Sequence, residues 1–248
     1  MSICDKIHFI DSIGNTIFIY SKICGFNNIV FRALVDREGN GCIIYSSESN
    51  IAVDPIPEVI VPTALEECDD DYNGITSFNL TDKDIEILNG QTGISVSYYE
   101  LPEDAESGSN PIVDPYLNTT VDGQTMYVRL EDDTTACYAT TTLELIVNPI
   151  PEVITPPVVE VCDDDYDGIG TFDLTSLDDT ILNGQTGISV TYHETQEDAD
   201  AGSNVLSSPY NNTTLDAQEL IVRLENTTTG CYSTTTQGLV VNPLAVIE

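Results

Sequence analysis

The chain contains a repeat of about 94 residues that aligns with itself without a gap. The segment CDDDYNG, which begins at Cys68, returns as CDDDYDG at Cys162, and 57 of the 94 aligned positions are identical. A fixed period of this size is typical of an array of small domains rather than of one large fold. The sequence therefore predicts two complete modules, 57–150 and 151–244, with 245–248 as the start of the next linker.

Residues 1–56 lie outside this repeat and contain apolar, β-branched and aromatic runs that are broken by glycine and asparagine. Such runs predict β-strands. The end of this stretch, with Arg32, Cys42 and Pro55, resembles the end of a module. Two interpretations stay open: residues 1–56 are a partial or diverged β module, or they are a separate small β unit.

Each complete module is predicted to be a β-sandwich. The alternation in ISVSYYE and TMYVRLE predicts half-buried strands, and a first strand is expected at Glu58–Val61. Short helical turns are expected at Thr81–Asp84 and Pro102–Ser107. Six or seven short strands in about 94 residues predict an all-β, immunoglobulin-like fold. The absence of tryptophan favours a fibronectin- or cadherin-like relative. The Pro-x-Pro linkers predict semi-rigid joints and an elongated tandem array.

The modules carry cysteines at a regular spacing. Cys68 and Cys137 are 69 residues apart, and the same spacing separates Cys162 and Cys231. Regular pairs without a CxxC motif predict one disulfide inside each module, Cys68–Cys137 and Cys162–Cys231, and an oxidising, extracellular setting. A zinc site would need more cysteine or histidine ligands nearby.

The chain is strongly acidic. It has 42 acidic and 7 basic residues, a net charge of -35, and only three of the bases lie after residue 56. Such a surface repels nucleic acid and anionic membranes, and it is compatible with metal cations or basic partners. No apolar run reaches the length of about 18 residues that a membrane span needs. The first residues lack the apolar stretch of a signal peptide, so we interpret the chain as a fragment of a longer secreted protein.

The acidic loop after the first cysteine of each module resembles the opening of a calcium loop. Such a loop needs side-chain oxygens at positions one, three and five, a glycine at six and a backbone carbonyl at seven. The candidate ligands are Asp69, Asp71, Asn73, Ile75 (through its carbonyl) and Asn79 in the first module, and Asp163, Asp165, Asp167, Ile169 (through its carbonyl) and Asp173 in the second. The glutamate of position twelve is missing. The alternative is a solvated acidic turn, because Asp, Asn and Gly favour turns anyway. Mutual repulsion among the carboxylates favours Ca²⁺.

The modules contain few residues of the types that usually carry out catalysis. The chain has two histidines, His8 and His193, and only His193 lies in a module. A Ser-His-Asp or Cys-His arrangement therefore cannot be present in both modules. The tyrosines could be read as a sugar-binding platform, but their period-2 spacing favours packing. The sequence predicts that the protein is not an enzyme.

Several segments in order resemble the repeats of long flavobacterial (Bacteroidetes) cell-surface proteins. These segments are CDDDYDGIGTFDLT, ILNGQTGISVTYHETQEDADAGSN, PYNNTT, VRLENTTTGCYSTTT and VVNP, and the resemblance covers 57–248. The proteins of that class are adhesin-like and are exported by the type IX, gliding-associated secretion system. The resemblance implies secretion, surface attachment and O-glycosylation at Asp-Ser/Thr triplets. The candidate acceptors are Ser12, Thr134 and Thr180.

These observations lead to one main hypothesis and two alternatives. The chain is a segment of a cell-surface adhesin or filament, and its modules are rigid, disulfide-locked, calcium-stabilised spacers that contact neighbouring modules of the same chain. In the first alternative the modules themselves bind a glycan or protein ligand. In the second the chain is a subunit of a polymeric surface filament in which residues 1–56 exchange strands with a neighbour.

Overall fold

The structure is a computed structural model that describes residues 54–244 and four earlier strands, the latter as backbone only. The earlier strands are β1 (Ile3–Ile10), β2 (Thr16–Ile23), β3 (Leu34–Val35) and β4 (Ile43–Ile44). Strand β1 pairs with β2 and β3 pairs with β4, both antiparallel. The β content predicted for this part of the chain is present in these strands. That residues 1–56 form a diverged module stays a prediction.

The two repeats contain the same elements in the same order. The elements of repeat 1 are β5 (Leu65–Cys68), β6 (Ser77–Phe78), a 3-10 turn (Leu80–Lys83), α1 (Asp84–Leu88), β7 (Ile94–Tyr99), α2 (Pro102–Ser107), β8 (Tyr116–Leu117), β9 (Gly123–Asp132) and β10 (Tyr138–Asn148). Those of repeat 2 are β11 (Val159–Asp163), β12 (Thr171–Phe172), a 3-10 turn (Leu174–Leu177), α3 (Asp178–Leu182), β13 (Ile188–His193), α4 (Gln196–Ala201), β14 (Tyr210–Asn211), β15 (Ala217–Asn226) and β16 (Tyr232–Pro243).

Each repeat has a four-stranded and a two-stranded sheet. The order is β5-β10-β9-β7 with β6-β8 in repeat 1, and β11-β16-β15-β13 with β12-β14 in repeat 2. In repeat 2, β11 runs parallel to β16, whereas β15 runs antiparallel to β13 and β16. Two sheets around one core make each repeat an immunoglobulin-like β-sandwich. The prediction of tandem all-β modules is confirmed.

The core of repeat 2 follows from the alternation along β15. Leu220, Val222 and Leu224 are completely buried and pack with Phe172 and Leu239. Burial of each such side chain contributes about 1.5–3 kcal/mol. The residues between them point to the other face of the sheet, where Arg223 lies beneath α4. The period-2 pattern therefore builds the core on one side and fixes the short helix on the other.

Two predicted elements differ from the structure. Glu58–Val61 is not a strand, because the Gln91 side chain binds the backbone there. Gln91 Oε1 accepts from the N–H of Glu58 at 2.8 Å, and Gln91 Nε2 donates to the Glu58 carbonyl at 3.0 Å. The first strand is β5. Helix α2 has the predicted bounds, while the expected turn at Thr81–Asp84 spans the end of a 3-10 turn and the start of α1.

Two compact units divide the described residues differently from the repeats. The first unit includes 54–65, 77–118 and 124–145, and the second includes 66–76, 119–123 and 146–244. The acidic loop of repeat 1 therefore belongs to the same compact unit as the whole of repeat 2. This arrangement places that loop beside the inter-repeat linker.

Candidate functional site at the acidic loop

The first aspartate of the acidic loop in repeat 2 is buried and organises the loop backbone. Asp163 Oδ1 accepts from the Tyr166 N–H at 2.8 Å, and its Oδ2 accepts from the Gly168 N–H at 3.0 Å. Gly168 has a φ of 76° and its carbonyl accepts from the Asp216 N–H at 3.0 Å. A Cβ on Gly168 would lie 3.0 Å from Asp216 Oδ1, so the glycine is required by both conformation and space.

Repeat 1 has the same loop conformation. Asp69 Oδ2 accepts from the Gly74 N–H at 2.9 Å, and Asp69 Oδ1 accepts from the Asp71 N–H at 3.2 Å. Burial of Asp69 acts to raise its pKa, but backbone N–H donors, first that of Gly74, outweigh burial and hold the pKa below its usual value. Because these bonds favour the charged form, the first position of the loop is a carboxylate at neutral pH.

The carboxylates of the second loop converge. Ligand-type oxygens of Asp163, Asp165 and Asp167 lie within 4.8 Å of one another. Desolvation first, and then the neighbouring charge of Asp167, raise the pKa of Asp165. In the first loop the converging carboxylates are those of Asp69, Asp70 and Asp71.

The predicted ligands at the fifth loop position, Asn73 and Asp167, also bind the loop backbone. Asn73 Oδ1 accepts from the Ile75 N–H at 2.6 Å, and Asp167 Oδ1 accepts from the Ile169 N–H at 2.7 Å. Thus Asn73 and Asp167 each hold the backbone that carries the predicted carbonyl ligand.

The two residues predicted to replace the missing glutamate lie at 3-10 turns. Asp173 Oδ1 accepts from the N–H and the hydroxyl of Thr175, at 3.1 and 2.8 Å, and from the Ser208 hydroxyl at 2.9 Å. The Thr175 and Ser208 hydroxyls lower the pKa of Asp173. Asn79 occupies the equivalent cap position without a side-chain cap bond. The geometry gives Asp173 a capping role and does not place it in the carboxylate cluster.

The disulfide pairing predicted for the modules is wrong. Cys68 is bonded to Cys231 of the other repeat, with 5.5 Å between their Cα atoms, and Cys162 is an exposed free thiol. Cys137 is also disulfide-bonded, but to neither of these cysteines. The bond therefore joins the end of β5 in repeat 1 to the β15–β16 hairpin of repeat 2.

The strand register explains why a disulfide inside repeat 2 is impossible. Cys162 lies opposite Asn242 near the end of β16, whereas Cys231 directly precedes the start of this 12-residue strand. At about 3.3 Å per residue, the two cysteines are roughly 35 Å apart, and a disulfide needs Cα atoms closer than about 7 Å. The regular spacing of 69 residues therefore separates two cysteines that lie at opposite ends of the same β-sandwich.

Side chains from both repeats hold the linker next to this disulfide. The Pro151 carbonyl accepts from the Tyr72 hydroxyl at 2.8 Å and from the Ser233 hydroxyl at 2.6 Å. Gln185 Oε1 accepts from the Glu152 N–H, and Gln185 Nε2 donates to the Glu152 carbonyl, both at 2.9 Å. We call the Cys68–Cys231 bond together with Tyr72, Pro151 and Gln185 the junction.

The histidine of repeat 2 has a structural environment. His193 is completely buried, its Nδ1 lies 2.7 Å from the Ser203 carbonyl, and its Nε2 lies 3.0 Å from the Thr191 hydroxyl. A carbonyl only accepts, so Nδ1 carries the proton. Tyr99 occupies the equivalent position in repeat 1, and it is buried as well. Packing accounts for both residues.

The repeated arginine is a structural residue that sequence reasoning missed. Arg223 Nη1 donates to the Ala199 carbonyl at 2.8 Å, Nη2 pairs with Glu225 at 2.8 Å, and the guanidinium stacks 3.5 Å from the Tyr232 ring centroid. Arg129 makes the same contacts with Ala105, Glu131 and Tyr138. The recurrence of VRLE in repeats that hold only three basic residues is the signal that could have revealed this role.

The predicted glycosylation acceptors are exposed where the structure describes them. Thr134 lies in the turn between β9 and β10, and Thr180 lies on α3. Ser12 lies outside the described residues. Modification at these positions stays a prediction.

A tandem pair of immunoglobulin-like modules with a disulfide between them defines the class of this protein. Residues 64–151 and 158–245 each match the family described as the Flavobacterium inter-domain disulphide bond domain. The two matches cover more than half of the chain, so the chain belongs to this family. The predicted relation to flavobacterial repeat modules is thereby confirmed, and the Cys68–Cys231 bond agrees with the family description.

Several solved structures of multi-domain proteins are similar at low identity. A titin I-band fragment, I67–I69, is 13% identical with a TM-score of 0.29, over 74% of this chain and 64% of the fragment. Domains 7, 8 and 9 of the S-layer protein SbsC are 15% identical with a TM-score of 0.32, over 83% and 70% of the two chains. Drosophila N-cadherin EC1-3 is 12% identical with a TM-score of 0.25, over 79% and 72%. At these TM-scores the matches support no functional argument.

No curated protein sequence matches the chain. Among the described residues, no helix has the length and apolar character needed to cross a membrane.

Proposed function

We propose that the chain is a non-enzymatic segment of a repetitive extracellular surface protein, in which covalently joined modules act as a rigid spacer. The observation that carries the proposal is the Cys68–Cys231 bond at a junction where the linker backbone is also held by side chains. A disulfide persists in an oxidising compartment, which supports an extracellular location. A cross-linked and clamped linker has few free torsions, which supports rigidity.

The surface role is adhesin-like or filament-like, with export by the type IX system. Membership of a Flavobacterium domain family supports this part of the proposal. The alternative, that the modules themselves bind a glycan or protein, is favoured by the most variable stretch of the repeat, 111–114 against 205–208. A glycan-array and cell-binding screen of the full chain distinguishes the two, because a spacer segment gives no specific binding.

Rigidity at the junction is tested by small-angle X-ray scattering of the oxidised full chain. We expect a narrow distribution of inter-repeat orientations, because the disulfide and the Gln185 clamp both restrict the linker. The double variant Cys68→Ser/Cys231→Ser should broaden this distribution, and Cys162→Ser serves as the matched control. A distribution for the oxidised wild type as broad as that of a Gly/Ser-linked pair contradicts the spacer function.

We also propose that the acidic loops bind Ca²⁺ through Asp163, Asp165 and Asp167 in repeat 2, and more weakly through Asp69 and Asp71 in repeat 1, where Asn73 replaces an aspartate. The convergence of three carboxylates supports this proposal, because a cation relieves their repulsion. The competing explanation is a solvated turn in which backbone N–H groups alone stabilise the aspartates.

Calcium is expected to raise the melting temperature of the oxidised chain at constant ionic strength. A ligand that binds only the folded state at a hundred times its Kd stabilises that state by about 2.7 kcal/mol. Asp165→Asn should abolish the difference in melting temperature between calcium and chelator. Asp164→Asn, which lies in the same loop but outside the cluster of three converging carboxylates, should retain this difference. Identical melting curves in calcium and chelator identify the loop as an acidic turn only.

A further inference from the structure

The linker between the two repeats forms one wall of a cleft that rigidity alone does not require. The cleft has a volume of about 610 Å³, and its lining includes Tyr72, Pro149, Ile150, Glu152, Ile188 and Asn226. All of these residues belong to the second compact unit, so the cleft is a feature of one compact body. Its volume lies within the range of pockets that hold small ligands. We call it the junction cleft.

Tyr72 and Glu152 bring an aromatic ring and a carboxylate to this cleft. The Tyr72 hydroxyl donates to the Pro151 carbonyl at 2.8 Å, which orients the ring, yet the residue is 55% exposed. Gln185 holds the backbone of Glu152 at both its N–H and its carbonyl. Within residues 54–244, the Glu152 carboxylate itself has no hydrogen bond and no ion pair. The cleft therefore contains an exposed aromatic ring and an unpaired carboxylate.

The same two groups hold an arginine elsewhere in each repeat. The Arg223 guanidinium lies 3.5 Å from the centroid of the Tyr232 ring and pairs with Glu225 at 2.8 Å. Arg129 makes the equivalent contacts in repeat 1. The ring attracts the cation through its quadrupole, and the carboxylate adds a charge-assisted hydrogen bond. The junction cleft offers a tyrosine and a glutamate in the same way, but without an arginine.

The charge of the surroundings also favours a cation. The lysine and arginine residues that the structure describes are Lys83, Arg129 and Arg223, and each is already paired with a glutamate. None of the three lines the cleft, and the net charge of the chain is -35. The resulting negative potential disfavours anionic ligands and raises the local concentration of cationic ones. The cation must therefore come from a partner.

Asn226 indicates that this cation belongs to a peptide. Asn226 Oδ1 accepts from the N–H groups of Thr228 and Thr229, at 2.9 and 3.2 Å. Its Nδ2 group has no acceptor in the part of the chain that the structure describes, so it remains available as a donor at the cleft. A peptide backbone supplies a carbonyl acceptor beside an arginine side chain, whereas a free amine supplies none.

We infer that the junction cleft binds an arginine side chain of a basic partner protein. The Tyr72 ring stacks on the guanidinium, the Glu152 carboxylate accepts from it, and Asn226 donates to a neighbouring backbone carbonyl. Pro149 and Ile150 pack against the apolar stem of the arginine. The inference rests on the alternative function, in which the modules bind a protein, and places the site at the junction instead of at the variable stretch. Because Tyr72 comes from repeat 1 and Asn226 from repeat 2, such a site forms only where two repeats are joined.

The test titrates the oxidised, isotope-labelled full chain with the blocked peptide acetyl-Gly-Arg-Gly-amide, at about 0.15 M salt to screen long-range attraction. Two-dimensional NMR locates the binding site and gives the Kd. We expect saturable shifts of the backbone amide signals of Glu152, Val153 and Asn226. A matched peptide contains citrulline, a neutral isostere of arginine. It should bind about tenfold more weakly, because the shape is kept and the charge is lost.

A pair of glutamate variants separates the cleft from the general acidity of the chain. Glu152→Gln should weaken binding of the arginine peptide about fivefold. Glu58→Gln removes the same charge from repeat 1 and should leave the affinity unchanged. Glu58 is clamped by Gln91 in the same way, but no CDDDY segment precedes it in the sequence.

A pair of tyrosine variants tests the aromatic wall. Tyr72→Leu should weaken binding about fivefold, whereas Tyr72→Phe keeps the ring and should retain most of the affinity. Tyr166→Leu removes the tyrosine of the equivalent loop in repeat 2 and should have no effect. Peptide mapping of the Cys68–Cys231 bond shows that the junction is intact in each variant.

Three results overturn the inference. Equal affinity for the citrulline peptide shows that the cleft does not recognise a cation. Equal losses in Glu152→Gln and Glu58→Gln show that the peptide binds through bulk charge. Absence of shifts at millimolar peptide shows that the cleft binds no arginine or is filled by a second copy of the chain. In each case the spacer function, judged by scattering, and ligand binding at the variable stretch, judged by the screen, can still hold.

Discussion

The double variant Cys68→Ser/Cys231→Ser is expected to unfold with a free energy about 5 kcal/mol below that of the oxidised wild type. The bond joins residues separated by 163 positions, so it removes a large part of the conformational freedom of the unfolded chain. In the loop-entropy model the stabilisation grows with the logarithm of this separation. Urea denaturation followed by circular dichroism measures the change from the transition midpoints.

The matched control for this prediction is Cys162→Ser. It removes an exposed thiol of the same residue type without a cross-link, and its effect should stay within about 0.5 kcal/mol. A double variant as stable as the wild type would show that the bond does not constrain the unfolded state.

Arg223→Ala is expected to destabilise repeat 2 by about 3 kcal/mol. The guanidinium is almost completely buried and donates to the Ala199 carbonyl near the end of α4, so its removal leaves this carbonyl and Glu225 without their donor. It also removes the stacking on Tyr232. Thermal unfolding should show a decrease of roughly 12–24 °C in the melting temperature of repeat 2.

Two substitutions indicate which property of Arg223 matters. Arg223→Lys keeps the charge but loses the planar guanidinium and its stacking geometry. We therefore expect a loss of stability between that of the wild type and that of Arg223→Ala. Glu225→Gln removes only the charge of a partly exposed partner, and the loss should be below about 1 kcal/mol. If Glu225→Gln destabilises as much as Arg223→Ala, the ion pair rather than the contact with α4 holds this face.

The fold was predictable because its signals are local and repeated. The alternation in ISVSYYE and ISVTYHE gives β7 and β13, and Pro102 at the start of α2 fixes that helix. The convergence of Asp163, Asp165 and Asp167 was also implicit in their alternate spacing. These features depend on neighbouring residues, whose relative positions a sequence specifies well.

The cysteine pairing and the side-chain clamps were not predictable from local patterns. The spacing between Cys162 and Cys231 is compatible with a bond until the length of β16 places them at opposite ends of the sheet. Gln185 and Glu152 are 33 residues apart, and nothing in the motif NGQTG says that its glutamine binds a linker. Such contacts depend on how a folded module packs against the linker segment that precedes its first strand.

The Cys68–Cys231 bond also determines how the chain responds to a pulling force. Tension applied at the two ends passes through the sulfur atoms, and the 163-residue stretch between the cysteines carries none of it. At about 3.5 Å per extended residue, roughly 570 Å of contour length is kept in reserve. Release of the whole length requires reduction of this bond and also of the disulfide at Cys137, which lies within the same stretch. A protein built from such repeats is therefore nearly inextensible in an oxidising environment and becomes highly extensible in a reducing one.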